Sequence, residues 1–255
     1  MCGVPLTEIT RIPVCRTCLA KPGPLEADYF CASCRTPFLN PFALDEDGRC
    51  SLCRAGANGF DAAYTYGSFE GELRELIHLL KYARVRTLAK PLAKLLAAAL
   101  PLNRSFDVVV PMPMHWRKRW VRGFNQAEVL AKEIARKRGL PLRNAARKRK
   151  ATAAQAGLTN AARQSNVAGA FEIRHPDALA GKRVLLVDDV MTTGATASAC
   201  AKALKHAGAR EVTLLAVART DRRAFAPADV AAEPQAFSDS YLYGSLDDAQ
   251  SRPIA

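Results

Sequence analysis

The sequence predicts an α/β protein, a parallel β-sheet with helices packed on it, preceded by a small N-terminal metal-binding module. Three observations predict it. Val184–Val187 is fully apolar, a helical stretch ending at Gly208 follows, and Val212–Val217 is a second apolar run. Strand, helix and strand within about 35 residues form a right-handed crossover between parallel strands. Val108-Val109-Val110 has the pattern of a strand buried on both faces. Seven of the eight cysteines lie in the first 53 residues, six of them in Cys-x-x-Cys pairs.

The module spans residues 1–59. Its pairs are Cys15/Cys18, Cys31/Cys34 and Cys50/Cys53, and 15 residues separate the second pair from the third, the spacing of a zinc ribbon. Each pair presents two thiolates from one tight turn, and two pairs complete a tetrahedral structural Zn²⁺ site. Cys31, Cys34, Cys50 and Cys53 are therefore the expected ligands. No charged segment followed by an apolar one opens the chain, so metal is favoured over disulfides. Cys2, in Cys2-Gly3-Val4-Pro5-Leu6, reads as the end of a further knuckle whose first cysteine lies upstream. Cys2, Cys15 and Cys18 are expected to form an incomplete second zinc site. A thioredoxin-like redox role lacks the strand–helix context it needs. Cys200, among alanines on a predicted helix, reads as a core residue.

Residues 60–220 carry the regular structure. Tyr64–Phe69 reads as a strand. Leu73, Leu76, Ile77 and Leu80 recur at helical spacing, predicting a helix over Glu70–Tyr82 with His78 on its half-buried flank. Leu88, Leu92, Leu95 and Leu96 mark a second helix. Asn125 caps a third, with Glu128 three residues on in a capping-box pattern, and Gly139 ends it. Lys148–Gly169 lacks periodicity and reads as a long loop. Thr196–Ala207 is the crossover helix. Residues 221–255, rich in Ala, Pro, Asp and Ser, are expected to be a flexible tail.

Of the 255 residues, 49% are hydrophobic and 24% charged, as in packed globular proteins. The longest apolar run, Leu95–Leu102, has eight residues including Pro101. A membrane helix needs about 20, so no membrane insertion is expected. The formal net charge of +13 favours an anionic partner.

The segment richest in chemistry is Val184-Leu185-Leu186-Val187-Asp188-Asp189-Val190-Met191-Thr192-Thr193-Gly194-Ala195-Thr196. A buried strand ends in two carboxylates and a Thr/Gly loop opens directly into a helix. Open α/β sheets bind ligands at the carboxyl ends of their strands. Loop amides and a helix N-terminus hold a phosphate, and Gly194 lets the backbone approach it. Thr192, Thr193 and Thr196 add hydroxyl donors. Paired carboxylates beside a phosphate suit the vicinal hydroxyls of a ribose, and they face a ligand, not the core. A P-loop is excluded because Gly-x-x-x-x-Gly-Lys-Ser/Thr is absent. A phospho-acceptor receiver domain would place its acidic pair at the first strand, with no Thr-Thr-Gly after it.

This segment resembles the phosphoribosyl-pyrophosphate (PRPP) loop of type I phosphoribosyltransferases. The resemblance implies that Asp188 and Asp189 hold the ribose hydroxyls. It also implies that Thr192, Thr193, Gly194 and Thr196, with Val190, Met191 and Ala195 in the same loop, hold the 5′-phosphate. Further motifs follow in order: Glu72–Tyr82, Val110–His115, Arg122-Gly123-Phe124-Asn125-Gln126, Gln155-Ala156-Gly157-Leu158-Thr159 and Asn166–Phe171. With the cysteine pairs, this order over residues 2–220 resembles the ComF family of competence proteins, in its ComFC-type members. Those pair a double zinc ribbon with a type I phosphoribosyltransferase-like domain. The missing first cysteine of the first ribbon is a departure, and the tail after Thr220 has no counterpart.

The resemblance implies a cytoplasmic protein of natural competence that handles incoming single-stranded DNA, works with competence-machinery proteins and binds PRPP with Mg²⁺. An active phosphoribosyltransferase is the alternative, with no catalytic residue or acceptor identified. His115–Lys150 holds 13 Lys or Arg against 2 Asp or Glu. Pro113–Gly123 corresponds to the family's pyrophosphate loop, so Arg117, Lys118, Arg119 and Arg122 are candidates for pyrophosphate or nucleic-acid contact. Trp116 and Trp120, four apart, either stack on bases or pack an amphipathic turn. His115 lies near the expected active face. Arg149, Thr152, Gln155 and Arg163 lie on the long loop, which in the family covers the site.

Overall fold

The central strands are apolar at successive positions, Val108–Val110 and Val184–Val187 among them, so one sheet must bury both of its faces. The computed structural model describes residues 2–6, 11–149, 169–221 and 223. Its strands are β1 (Tyr29–Phe30), β2 (Pro37–Phe38), β3 (Ala62–Ser68), β4 (Val108–Pro111), β5 (Ala146–Lys148), β6 (Phe171–Ile173), β7 (Arg183–Met191) and β8 (Glu211–Arg219). Its helices are α1 (Arg16–Ala20), α2 (Ser51–Arg54), α3 (Gly71–Lys81), α4 (Ala89–Ala99), α5 (Trp116–Arg122), α6 (Gln126–Arg138) and α7 (Ala195–His206). The central sheet is parallel, in the order β3–β8–β7–β4. Leu142 adds a parallel bridge to Val109 on the outer side of β4.

On one face, Val109, Leu185, Val187, Leu215 and Val217 pack with Leu76, Ile77, Leu92, Leu96, Leu130 and Ile134 of α3, α4 and α6. On the other, Val110, Val184, Leu186, Val212 and Leu214 pack with Cys200, Ala201 and Leu204 of α7. The thiols Cys31, Cys34 and Cys50 join this second layer. Cys200 is thus a core residue, as expected. No helix among the described residues is long and apolar enough to cross a membrane.

α6 begins and ends where its signals place it. The Asn125 side chain accepts from the Ala127 amide at 3.1 Å and donates to the Met112 carbonyl at 2.9 Å, while Gly139 closes the helix at φ 64°. Glu128, however, turns away from the cap and pairs with Arg119 at 3.1 Å. Three other expectations change. β7 does not stop before the acidic pair but continues to Met191, because Asp188, Val190 and Met191 stay in register with Ala216, Ala218 and Arg219. Lys148 is the last residue of β5, which pairs antiparallel with β6, so the stretch read as loop opens in a strand. Trp116–Arg122 is a helix, started by the His115 side chain accepting from the Arg117 amide. Thr152, Gln155, Arg163, the Gln155–Thr159 motif and all of the tail beyond residue 223 lie outside the described residues.

Two clamps hold the cysteine module against the strand–loop–helix segment. Arg219 of β8 donates to the Cys34 carbonyl at 2.9 Å and to Thr36 Oγ1 at 2.7 Å. Ser198 in α7 accepts from the Gly59 amide at 2.8 Å and donates to the Ala57 carbonyl at 3.0 Å. A Cβ on Gly59 would meet the Ser198 carbonyl oxygen inside van der Waals contact and Lys202 Cγ at 2.5 Å. Gly59→Ala should therefore lower stability by about 1–3 kcal/mol. Denaturant titration should show a lower midpoint at unchanged slope.

Candidate functional site

The crossovers of the sheet fix where a ligand can enter. From β4 the chain runs through α5 and α6 outward to Leu142, and from β7 through α7 the opposite way to β8. The strand order reverses between β4 and β7, and a crevice opens at such a switch point. The Met112 amide donates to the Val187 carbonyl at 2.8 Å, the last ladder bond before the strands part. Asp188 is the next residue.

Strand alternation sends the two carboxylates to opposite faces. Contrary to the expectation that both carboxylates face a ligand and not the core, Asp189 is only 4% exposed and turns into the α3 layer, where Lys81 Nζ lies 2.7 Å from Oδ2. Burial acts to raise its pKa, but the charge and hydrogen bond of Lys81 outweigh burial and hold it below the usual carboxylate range. Asp188 is pushed the other way. Burial and then the Asp189 charge raise it well above the ordinary value. Lys148 of β5 faces Asp188; burial lowers its pKa first, the Lys118 charge lowers it further, and Asp188 partly restores it. Lys81 thus pairs directly with one carboxylate, while the Lys148 charge interacts with the other. The pattern of the strand did not reveal either lysine, although Lys81 closes the apolar stripe of α3.

Beyond Met191 the chain turns through Thr192 and Thr193 to Gly194, the N-cap of α7, at φ 78°. Gly194 has no side chain to cap the helix, so the first turn takes no hydrogen bond from its N-cap residue's side chain. Thr193 Oγ1 accepts from the Ala195 amide at 3.2 Å. Thr192, Thr193, Ala195 and Thr196 are exposed, whereas Met191 and Gly194 are buried. A Cβ on Gly194 would lie 2.8 Å from Met191 Cε, the movable tip of a flexible side chain, so it is the left-handed backbone that calls for glycine here. An open helix terminus ringed by hydroxyls is a place for a phosphate.

The basic candidates divide. Arg119 is tied to Glu128, and Arg122 donates to Gln126 Oε1 at 3.0 Å and stacks 5.1 Å from the Tyr82 ring. Arg117 and Lys118 are exposed, with Arg117 5.3 Å from the Trp116 ring. Trp116 and Trp120 are 57% and 85% exposed, so they do not pack an amphipathic turn. His115 is buried as the α5 cap, and His78 is half-buried between the Phe69 and Tyr82 rings.

The cysteines form two clusters. The Sγ atoms of Cys31, Cys34, Cys50 and Cys53 all lie within 4.8 Å of one another. Cys31–Cys53 is 3.6 Å and Cys34–Cys50 3.7 Å. A tetrahedron with Zn–S bonds of about 2.3 Å has edges of about 3.8 Å, so this donor set fits Zn²⁺. The Cys34 and Cys50 thiols hold Cys31 far below the usual thiol range, while Cys31 in turn pushes Cys50 up to about 11. One thiolate thus opposes the next, a conflict that a dication relieves. Cys2, Cys15 and Cys18 form a second cluster, with Cys2–Cys15 at 3.6 Å. The residues after Cys34 and Cys2 share a left-handed turn, Arg35 at φ 53° and Gly3 at φ 70°. Both clusters combine such a knuckle with a short helix, α2 in one and α1 in the other. Cys2 therefore takes the place of Cys34, and the counterpart of Cys31 is lacking among the described residues.

Comparison with known proteins follows these features. The phosphoribosyl transferase domain family matches residues 122–233. Competence protein F of Haemophilus influenzae is 30% identical over 168 residues, covering 63% of this chain and 73% of that protein. DNA utilization protein YhgH of Escherichia coli K12 is 33% identical over 163 residues, covering 61% and 71%. Among solved structures, glutamine PRPP amidotransferase of B. subtilis aligns with 51% of this chain and 26% of its own, at 25% identity and a TM-score of 0.37. Domain match, parallel sheet and cysteine clusters bear out the expected α/β phosphoribosyltransferase-like fold with an N-terminal zinc-type module.

Two outcomes are expected. Purified protein should carry about one tightly held Zn²⁺, and Cys34→Ser should lose it, as read by metal analysis of unchelated samples. The two aspartates should respond oppositely. Asp189→Asn strands Lys81 without its partner in a buried setting and should cost about 3–5 kcal/mol. Asp188→Asn should be at least as stable as the parent at neutral pH. The raised Asp188 pKa contributes stability that is full below the unfolded carboxylate value of about 3.9. It is lost as pH rises through the folded value. The groups around Asp188 are Asp189 on β7, Lys81 on α3, Lys148 on β5 and Cys200 on α7. Urea titrations across pH should show this loss in the parent and not in Asp188→Asn.

Proposed function

The chain belongs to the ComF family of competence proteins, and from that premise we propose that it binds PRPP or a related phosphoribosyl compound and handles single-stranded DNA during uptake, in the cytoplasm. One observation carries the ligand half of this reading. Asp188 and Asp189 stand at the switch point and lead within a few residues into the open, hydroxyl-ringed N-terminus of α7. The spacing suits one ribose 5-phosphate: vicinal hydroxyls donate to the carboxylates while the 5′-phosphate accepts from the amides of the 192–196 turn. Lys148, whose charge interacts with that of Asp188, and the exposed Lys118 would meet the pyrophosphate. Mg²⁺ arriving with PRPP would chelate pyrophosphate and ribose oxygens and neutralise their charge.

The DNA half is supported by α5. It offers two exposed indoles and exposed Arg117, Lys118 and Arg119 on one short helix, a combination of stacking and phosphate contact that tolerates any base sequence. The names of the relatives, which concern competence and DNA utilization, agree with it. Competence-machinery proteins are the expected neighbours. An active phosphoribosyltransferase is a second reading, favoured by the intact acidic pair. In it an acceptor nitrogen would bond to the anomeric carbon as pyrophosphate leaves.

Calorimetry with PRPP and Mg²⁺, then with single-stranded DNA across salt, tests the proposal. PRPP should bind, and the affinity should fall about 10- to 100-fold in Asp188→Asn. With about four cations engaged, the log–log salt slope for DNA should be near −3. Alanine at Arg117, Lys118 and Arg119 should flatten it. Alanine at Trp116 and Trp120 should lower affinity at unchanged slope. No DNA binding at low salt would leave the enzyme reading, measured by pyrophosphate release with candidate acceptors. No PRPP binding would reject the site.

A further inference from the structure

Among the cations around the crevice, Lys81 stands apart because it is buried and already committed. Its side chain is 14% exposed, that of Asp189 6%, and their charged atoms are 2.7 Å apart. Four apolar contacts fix the helix that carries it: Leu73, Leu76, Ile77 and Leu80 are all buried. Lys81 is the last residue of α3, where the carbonyl end of the helix favours a cation. Its ammonium also lies 5.7 Å from the centroid of the Phe69 ring. The Phe69 amide is in turn held by the Arg219 carbonyl at 2.7 Å, at the end of β8 beside the acidic strand. A surface lysine pairing by chance has none of these supports.

The Lys81–Asp189 contact engages Oδ2, while Oδ1 accepts from the Val190 amide at 2.8 Å. Both oxygens are thus oriented before any ligand arrives, which lowers the ordering cost of binding. Asp188 is constrained differently, through its own Oδ1 accepting from the Asp189 amide at 2.8 Å. The two carboxyl groups are not equivalent, and the inequality comes from α3, an element outside the strand–loop–helix segment.

We propose that Lys81 is the positioning residue of the sugar site, holding the Asp189 carboxylate in place to accept from a ribose hydroxyl of a phosphoribosyl ligand. This deepens the reading of the acidic pair as a PRPP site and rests on it. Lys81 acts through Asp189 and need not touch the ligand. Removing the cation releases the carboxylate and restores the mutual repulsion of two adjacent negative charges.

The test is PRPP–Mg²⁺ calorimetry on the full zinc-loaded chain and four variants: Lys81→Arg, Lys81→Met, Asp189→Asn and the double Lys81→Met/Asp189→Asn. The parent should bind. Lys81→Arg keeps the charge and should stay within about threefold, whereas Lys81→Met should lose about 10- to 100-fold. The double variant removes both buried charges together, so it stays folded where a single variant fails. It should bind no worse than the weaker single variant, because the two residues act as one unit. Circular dichroism monitors folding throughout. Binding by the parent with equal affinity in Lys81→Met overturns the role of Lys81 and leaves the PRPP site standing. So does an Arg variant as weak as Met, or additive losses in the double. A parent that does not bind PRPP overturns the site and the role of Lys81 together.

Discussion

Asp188 and Asp189 lie side by side on a strand buried on both faces, and two like charges at that depth repel each other and lack water. Much of the surrounding structure offsets that repulsion. Strand alternation sends the carboxylates to opposite layers. Lys81 on α3 neutralises one, and the charge of Lys148 on β5 interacts with the other. The remaining excess falls on Asp188, whose proton is held well above the ordinary range. A ligand that brings hydroxyl donors and a metal-bound pyrophosphate completes what the protein leaves partly compensated. In this sense the acidic pair is electrostatically poised, a condition typical of functional carboxylates.

The cysteine module belongs to the same arrangement. Arg219 is the register partner of Met191, the residue that begins the turn, and it grips the knuckle at Cys34 and Thr36. Ser198 lies in the first turn of α7 and is held by Ala57 and Gly59 as the chain leaves the third cysteine pair. Both ends of the turn that would seat a phosphate are therefore fastened to a thiol cluster. Cys34 contributes its carbonyl to one clamp and its sulfur to the four-thiol cluster, whose spacing fits Zn²⁺. Such a small module cannot build much core of its own, so metal and clamps together supply its rigidity.

Much of this was legible in the sequence, and particular residues show why. The four thiols were readable because metal ligands from tight turns impose a fixed local spacing. The acidic pair and its loop were readable because phosphate binding at a helix N-terminus demands contiguous residues. The packing of the sheet followed from Val108-Val109-Val110 and Val184–Val187. What escaped depends on contacts distant in the chain. Lys81 and Asp189 are 108 positions apart by number, yet touch; neither the stripe of α3 nor the strand pattern carries that pairing. Likewise β5 is too short to show a period, and its partner β6 lies beyond the intervening segment. α5 escaped because its Trp and Arg residues are exposed, so it has no apolar stripe to reveal a helix. Glu128 fitted a capping box by position but found a stronger partner in Arg119.

The central claim is that the end of β7 and the start of α7 seat a phosphoribosyl group. A crystal structure of the zinc-loaded chain soaked with PRPP and Mg²⁺ tests it most directly. The account predicts the 5′-phosphate against the amides of the 192–196 turn, with the two ribose hydroxyls on Asp188 and Asp189 and Lys81 still paired with Asp189. A ligand bound elsewhere, or a sugar seated with its hydroxyls away from the acidic pair, would contradict it.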